Sequence, residues 1–97
     1  MKKVCMILTD GFEEIEAVGT YAILRRGGMD VDIYSLLDQD ATGRFGLTCT
    51  KLNPFSQLNA ADYAALVIPG GPEYKALEAS PAVQALIKTF IEAGKVV

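Results

Sequence analysis

An α/β fold, with a parallel sheet covered by helices on both faces, is what this 97-residue sequence predicts. Three observations predict it. Val4-Cys5-Met6-Ile7-Leu8 is an unbroken apolar run, too short for a helix and typical of a strand buried on both faces. A helical pattern from Glu13 to Arg26 and a second strand pattern from Val31 to Leu36 follow it. That order is a strand–helix–strand unit, whose crossover is right-handed and whose strands pair in parallel. Tyr63 to Ile68 then repeats the strand, and Ser80 to Gly94 repeats the helix.

Each element has its local reason. The first helix opens on Glu13, Glu14 and Glu16, which suit the positive end of a helix dipole. It closes on Arg25-Arg26 and Gly27-Gly28, basic residues followed by glycine that tolerates a left-handed turn. Its apolar residues fall on two sides: Ile15, Val18 and Ala22 on one, Ala17, Tyr21 and Leu24 on the other. A helix apolar on two sides is covered on two sides, so a homodimer through this helix is expected. From Leu37 to Asp62 the pattern weakens, with turns over Asp38 to Gly46, a short hairpin strand within Phe45 to Leu52, and Asn53-Pro54 as a breaker. The last helix carries Ser80 as its cap, Pro81 at its first position, and Val83, Leu86, Ile87, Phe90 and Ile91 on one face. Lys95-Val96-Val97 begins another strand. A parallel strand with nothing to cover its far edge invites pairing, so residues 1–97 are expected to be the amino-terminal part of one larger domain.

Composition narrows the function classes. A 51% hydrophobic content is that of a globular chain. A net charge of −3 with mixed signs argues against a nucleic-acid footprint, which needs a basic face. Met1-Lys2-Lys3 leads into an apolar run too short for a secretion signal, and no segment approaches the ~20 apolar residues of a membrane span. Two cysteines without such a signal suit a reducing, cytoplasmic compartment. With no histidine, neither a Ser-His or Cys-His pair nor a usual zinc site can be built from these residues, and no metal or organic cofactor is implied.

Chemistry is expected where strands end, since ligands of open α/β sheets bind outside the carboxyl ends of the strands. Thr9-Asp10-Gly11 is the first such turn, with Asp10 as a turn or cap residue and Glu16 one turn inside the helix that follows. Ile68-Pro69-Gly70-Gly71-Pro72 is the second, where two glycines let backbone N–H groups approach a ligand. Without further information, Glu16 reads as a solvated helix residue and Gly70-Gly71 as a plain turn. Cys5 reads as core packing and Cys49 as structural, with some exposure to oxidation. A dinucleotide glycine motif and a phosphate loop are both lacking after the first strand. A phosphoacceptor receiver would need an aspartate where Pro69-Gly70-Gly71 stands.

Thr9-Asp10-Gly11-Phe12-Glu13-Glu14-Ile15-Glu16, followed at this separation by Ile68-Pro69-Gly70-Gly71 and the Ser80–Gly94 helix, resembles the ThiJ/PfpI family. That family lies within the class I glutamine-amidotransferase-like superfamily and includes intracellular cysteine peptidases, glyoxalases and deglycases. The resemblance runs from Lys2 to Val97 and implies a flavodoxin-like three-layer sandwich, here incomplete at its carboxyl end. It implies that Glu16 hydrogen-bonds a nucleophilic cysteine and that Gly70 and Gly71 supply an oxyanion-binding amide. Glu73 is similar in type, at a shorter spacing, to a glutamate that the peptidase branch lends across a subunit interface. The nucleophile itself would follow the strand begun at Lys95, beyond Val97, so neither Cys5 nor Cys49 takes its place. A carboxyl facing a thiolate is pushed to keep its proton and can then donate a hydrogen bond. The expected function is therefore a cysteine-thiolate enzyme acting on a small carbonyl compound, a glycated group or a peptide amide. The alternative is a non-catalytic stress-response or redox-sensing module on the same scaffold.

Overall fold

The computed structural model describes residues 3–97. Met1 and Lys2, part of the lead-in considered above, lie outside them. Four strands form one parallel sheet in the order β5-β2-β1-β6: β1 is Lys3–Leu8, β2 Asp30–Ser35, β5 Asn53–Pro54 and β6 Ala65–Val67. β1 lies in the centre, its register running from Lys3 beside Asp30 to Leu8 beside Ser35, and β6 pairs on its other side from Val4 beside Ala65. Alternate side chains of a strand point to opposite faces, and β1 uses both. Cys5 and Ile7 join Tyr34, Tyr63, Leu66, Leu77, Val83 and Phe90 in one buried cluster. Met6 and Leu8 join Phe12, Ala17 and Ala41 in the other. Helix α3, Pro81–Glu92, brings Val83 and Phe90 to the first cluster. The first helix brings Ala17 to the second, with Tyr21 packed against it. The result is the flavodoxin-like three-layer sandwich that the buried character of β1 requires.

Several elements differ from the sequence expectation, each for a local reason. The first helix is not regular throughout. It begins with a π-helical turn at Ile15–Gly19 and becomes α-helical only over Thr20–Arg26 (α1). The hairpin strand expected within Phe45–Leu52 is β4, Thr48–Cys49, but its antiparallel partner β3, Ala41–Thr42, lies in the stretch read as turns. Asn53-Pro54 does not break structure but forms the edge strand β5 beside Tyr34 and Ser35. An edge tolerates proline, whose missing N–H costs nothing on the open side. The Tyr63–Ile68 strand is shortened to Ala65–Val67. Helix α2, Tyr74–Ala79, is an addition that the sequence pattern did not suggest. Ser80 caps α3 as expected, its hydroxyl accepting from the Val83 N–H at 3.3 Å. The strand begun at Lys95 amounts to one parallel bridge, Val96 against Ala65.

The two apolar sides of the first helix have different fates. Ala17 is buried while Ile15, Val18 and Ile23 are 80%, 43% and 70% exposed. Beside it, Val4, Leu24, Met29, Val67, Val96 and Val97 line an open apolar groove of about 530 Å³. No helix is long and apolar enough to cross a membrane among the described residues.

Candidate functional site at the carboxyl ends of β1 and β6

β1 and β6 are neighbours, so the turns that leave them meet. Their contact is made largely of backbone. The Glu13 N–H donates to the Gly70 carbonyl at 2.9 Å, and the Glu73 N–H donates to the Gly11 carbonyl at 3.3 Å. Gly71 sits where the chains are closest. Its φ is +106°, and a Cβ there would lie 2.7 Å from both the Glu13 nitrogen and the Gly11 oxygen. Only glycine satisfies both the conformation and the space.

The glutamates of the first helix do more than serve its dipole, for each holds a different segment. Glu13 Oε1 accepts from the Ile15 N–H at 3.1 Å, two residues on in the same turn. Glu14 Oε2 accepts from the Phe45 and Leu47 N–H groups at 2.8 and 3.3 Å and pins the hairpin loop. Burial opposes the Glu14 charge, but those two amides and Arg44 outweigh it and hold the carboxyl below its usual range. Glu16 Oε1 accepts from the Gly70 N–H at 2.7 Å, across 54 residues of sequence. Glu16 belongs to the π-helical turn, a distortion that recurs at functional sites. Its side chain is exposed, which leaves Oε2 open to a further partner. Among the described residues no acceptor takes the Gly71 N–H. Asp10 behaves as a turn residue, its Oδ1 accepting from the Thr42 N–H at 2.9 Å and joining the turn to β3.

The structure thus brings Glu16, Gly70 and Gly71 together and places Glu73 directly behind them. Glu73, expected at a subunit interface, is 1% exposed, with its carboxyl turned into the interior of this chain. Oε1 accepts from the Thr9 N–H at 3.0 Å, and Oε2 is buried with no partner among the described residues. Burial, with the nearby Glu16 charge adding and the Thr9 bond opposing, pushes the Glu73 carboxyl up to about 8. Sequence reasoning could not see this burial. The sole hint was an acid placed directly after a glycine-proline turn.

The thiols stand apart from this site. Cys5 is buried in mid-strand, its Sγ donating to the Ala65 carbonyl at 3.6 Å, and burial pushes its thiol up to about 12. The Cys49 thiol is also raised, by burial and by Glu14. A nucleophile needs the opposite shift, so neither is activated.

Comparison with known proteins fits this geometry. The chain matches the DJ-1/PfpI family over residues 2–97. It is 28% identical to a deglycase of Thermococcus kodakarensis over 93 residues, 96% of this chain and 56% of that protein. It is 31% identical to a candidate cysteine protease of Bacillus subtilis over 95 residues, 97% of this chain and 56% of that protein. A solved cysteine-to-alanine variant of a DJ-1 superfamily protein from Salmonella typhimurium superposes with a TM-score of 0.91. It is 35% identical, and the match covers 99% of this chain and 54% of that one. The chain therefore spans about half the length of the relatives it matches. With the match running from residue 2 to residue 97 and the same fold in its neighbours, this chain belongs to the DJ-1/PfpI family.

Proposed function

We propose that this chain supplies the acid and the amide donor of a thiol-dependent active site, acting on a small carbonyl compound, a glycated group or a peptide amide. One observation carries the reading. Glu16 is exposed and anchored through Oε1 to the Gly70 N–H at 2.7 Å, one residue before Gly71, whose own amide has no acceptor among the described residues. A carboxyl so oriented shares a proton with an approaching thiolate instead of rotating away from it. The Gly71 N–H then faces the oxygen on which negative charge develops. The reacting sulfur is neither Cys5 nor Cys49, given the environments of both, and the reading assigns it to a segment following Val97. Deglycase and cysteine-protease names among the relatives support the substrate classes.

The reading includes a cytoplasmic homodimer. Its support is the outward side of the first helix, where Ile15 and Ile23 are 80% and 70% exposed. Large apolar side chains left exposed on one helix suit an interaction surface. Sedimentation of the protein at micromolar concentration tests this part, and a clean monomer would remove it.

The chemical part is tested by Glu16→Leu in the full-length protein. Loss of the carboxyl is expected to raise the midpoint of thiol alkylation by about one pH unit and to abolish turnover of an α-dicarbonyl substrate. An alkylation profile identical to the wild type would take Glu16 out of the mechanism.

A further inference from the structure

Among the described residues Glu73 is the only acidic or basic side chain in the buried core. A carboxyl in such a place demands an explanation, because burying it is costly unless its charge is paired or absent. Among the described residues no cation pairs with it. Lys75 and Glu78 on its own helix are exposed and do not act on it, and of the neighbouring carboxylates only Glu16 bears on it. From the turn after β1 the carboxyl meets the uncharged Thr9 N–H, while the Gly11 carbonyl of the same turn accepts from the Glu73 backbone N–H.

Its connections run in three directions. Its side chain holds Thr9 at 3.0 Å, its own N–H holds the Gly11 carbonyl at 3.3 Å, and its carbonyl accepts from Ala76 and Leu77 to start α2. Gly71, two residues earlier, packs against the same Gly11. Glu16 grips the same loop at Gly70 from the solvent side. One loop is therefore held by two carboxyls, an exposed one in front and a buried one behind.

We propose that Glu73 is a positioning residue: a buried acid that, while protonated, fastens the Thr9–Gly11 turn to the Gly70–Gly71 turn, and whose ionisation releases them. The inference deepens the thiol reading, on which it rests for the importance of the turns, by giving that site a built-in pH response. Released from its proton, the carboxyl cannot remain desolvated with an unpartnered oxygen and Glu16 nearby. Rotation toward water relieves it and gives up the Thr9 bond. Protonation near neutral pH accords with a carboxyl pushed up to about 8.

Amide exchange in the protein, corrected for intrinsic rates, tests the proposal without turnover. Protection of the Thr9 and Gly70 amides is expected to fall about tenfold as pH rises through the Glu73 transition, while Glu73→Gln, which keeps the shape and cannot ionise, shows no such step. A wild-type profile without a step, or the same step in Glu73→Gln, overturns the proposal. Should Glu73→Gln fail to fold, the wild-type carboxyl carbon decides by NMR titration. A midpoint near 8 supports the buried acid, and an ordinary carboxylate midpoint of about 4 to 5 overturns it. A protein that passes these measurements yet lacks thiol chemistry would refute the catalytic reading and leave the Glu73 fastening intact. Thiol chemistry with an ordinary Glu73 would do the reverse.

Discussion

Two carboxyls at opposite ends of the same sheet show what separates its structural end from its functional end. Toward the amino end, Asp32 accepts from the Tyr63 hydroxyl at 2.7 Å and pairs with Lys3 at 3.2 Å. Tyr63 in turn shares a hydrogen bond with Tyr34, the two rings meeting edge to face. The Tyr63 bond and the Lys3 charge hold Asp32 below the usual carboxylate range despite partial burial. At the carboxyl end Glu73 has a single amide, an unpartnered oxygen and a like charge for company, and shifts the other way. A cluster whose members satisfy one another is a structural device. Glu73, buried and half satisfied, departs from that pattern, and the proposed fastening role rests on this difference.

The largest expected effect tests whether the functional end is as tightly built as its contacts imply. Gly71→Ala would force a side chain into a φ of +106° and bring Cβ within 2.7 Å of two backbone atoms that cannot swing aside. A loss of about 3 kcal/mol or more in chemical denaturation is expected, since left-handed strain and a backbone clash add. A loss under about 1 kcal/mol would mean that the two turns part easily, and the contrast between the ends would lose its physical basis.

How far the contrast could be read beforehand depended on what kind of interaction made each part. β1 was legible because one short apolar run must feed two cores, and Cys5 with Ile7 and Met6 with Leu8 do so. α3 was legible because Ser80, Pro81, Val83 and Phe90 obey local rules of capping and spacing. The Glu16–Gly70 bond joins residues that no local rule connects, and only the family resemblance brought them to one place. Asn53-Pro54 was misread because a breaker in isolation is a tolerable edge strand once β2 lies beside it. Glu73 was the hardest to place, because its composition and position are those of any solvated glutamate. Its burial depends on how two turns distant in sequence close over it.

A smaller effect is expected at the structural end. Tyr63→Phe removes one hydroxyl, which takes from Tyr34 its hydroxyl partner and leaves Asp32 with Lys3 alone, at an expected cost of about 1–2 kcal/mol. The pH dependence follows from the sign of the Asp32 shift. A carboxyl depressed in the folded state adds stability above its unfolded value of 3.8, and that stability is lost as pH falls toward the folded value. Tyr63→Phe should therefore flatten the acid limb of the stability curve and move the Asp32 carbon midpoint up toward 3.8. An unaltered acid limb would show that Lys3 alone sustains Asp32 and that the tyrosines are packing only.

The smallest effect on stability distinguishes the two glycines that stand side by side. At Gly70 a Cβ would lie 2.5 Å from Glu16 Oε1, the far end of an exposed and flexible side chain, and the backbone there is not left-handed. Glu16 can swing into water, and the added methyl restricts the unfolded chain, so Gly70→Ala should cost less than about 1 kcal/mol. Its consequence should appear in position, as loss of the hydrogen-bonded shift of the residue-70 amide and of the Glu16 anchor. A protein nearly as stable as the wild type but with Glu16 set loose would show that this carboxyl is held for chemistry, since the fold does not need it held. A loss as large as that of Gly71→Ala would instead make Glu16 part of the structural lock between the turns, and the functional end would resemble the amino-terminal cluster after all.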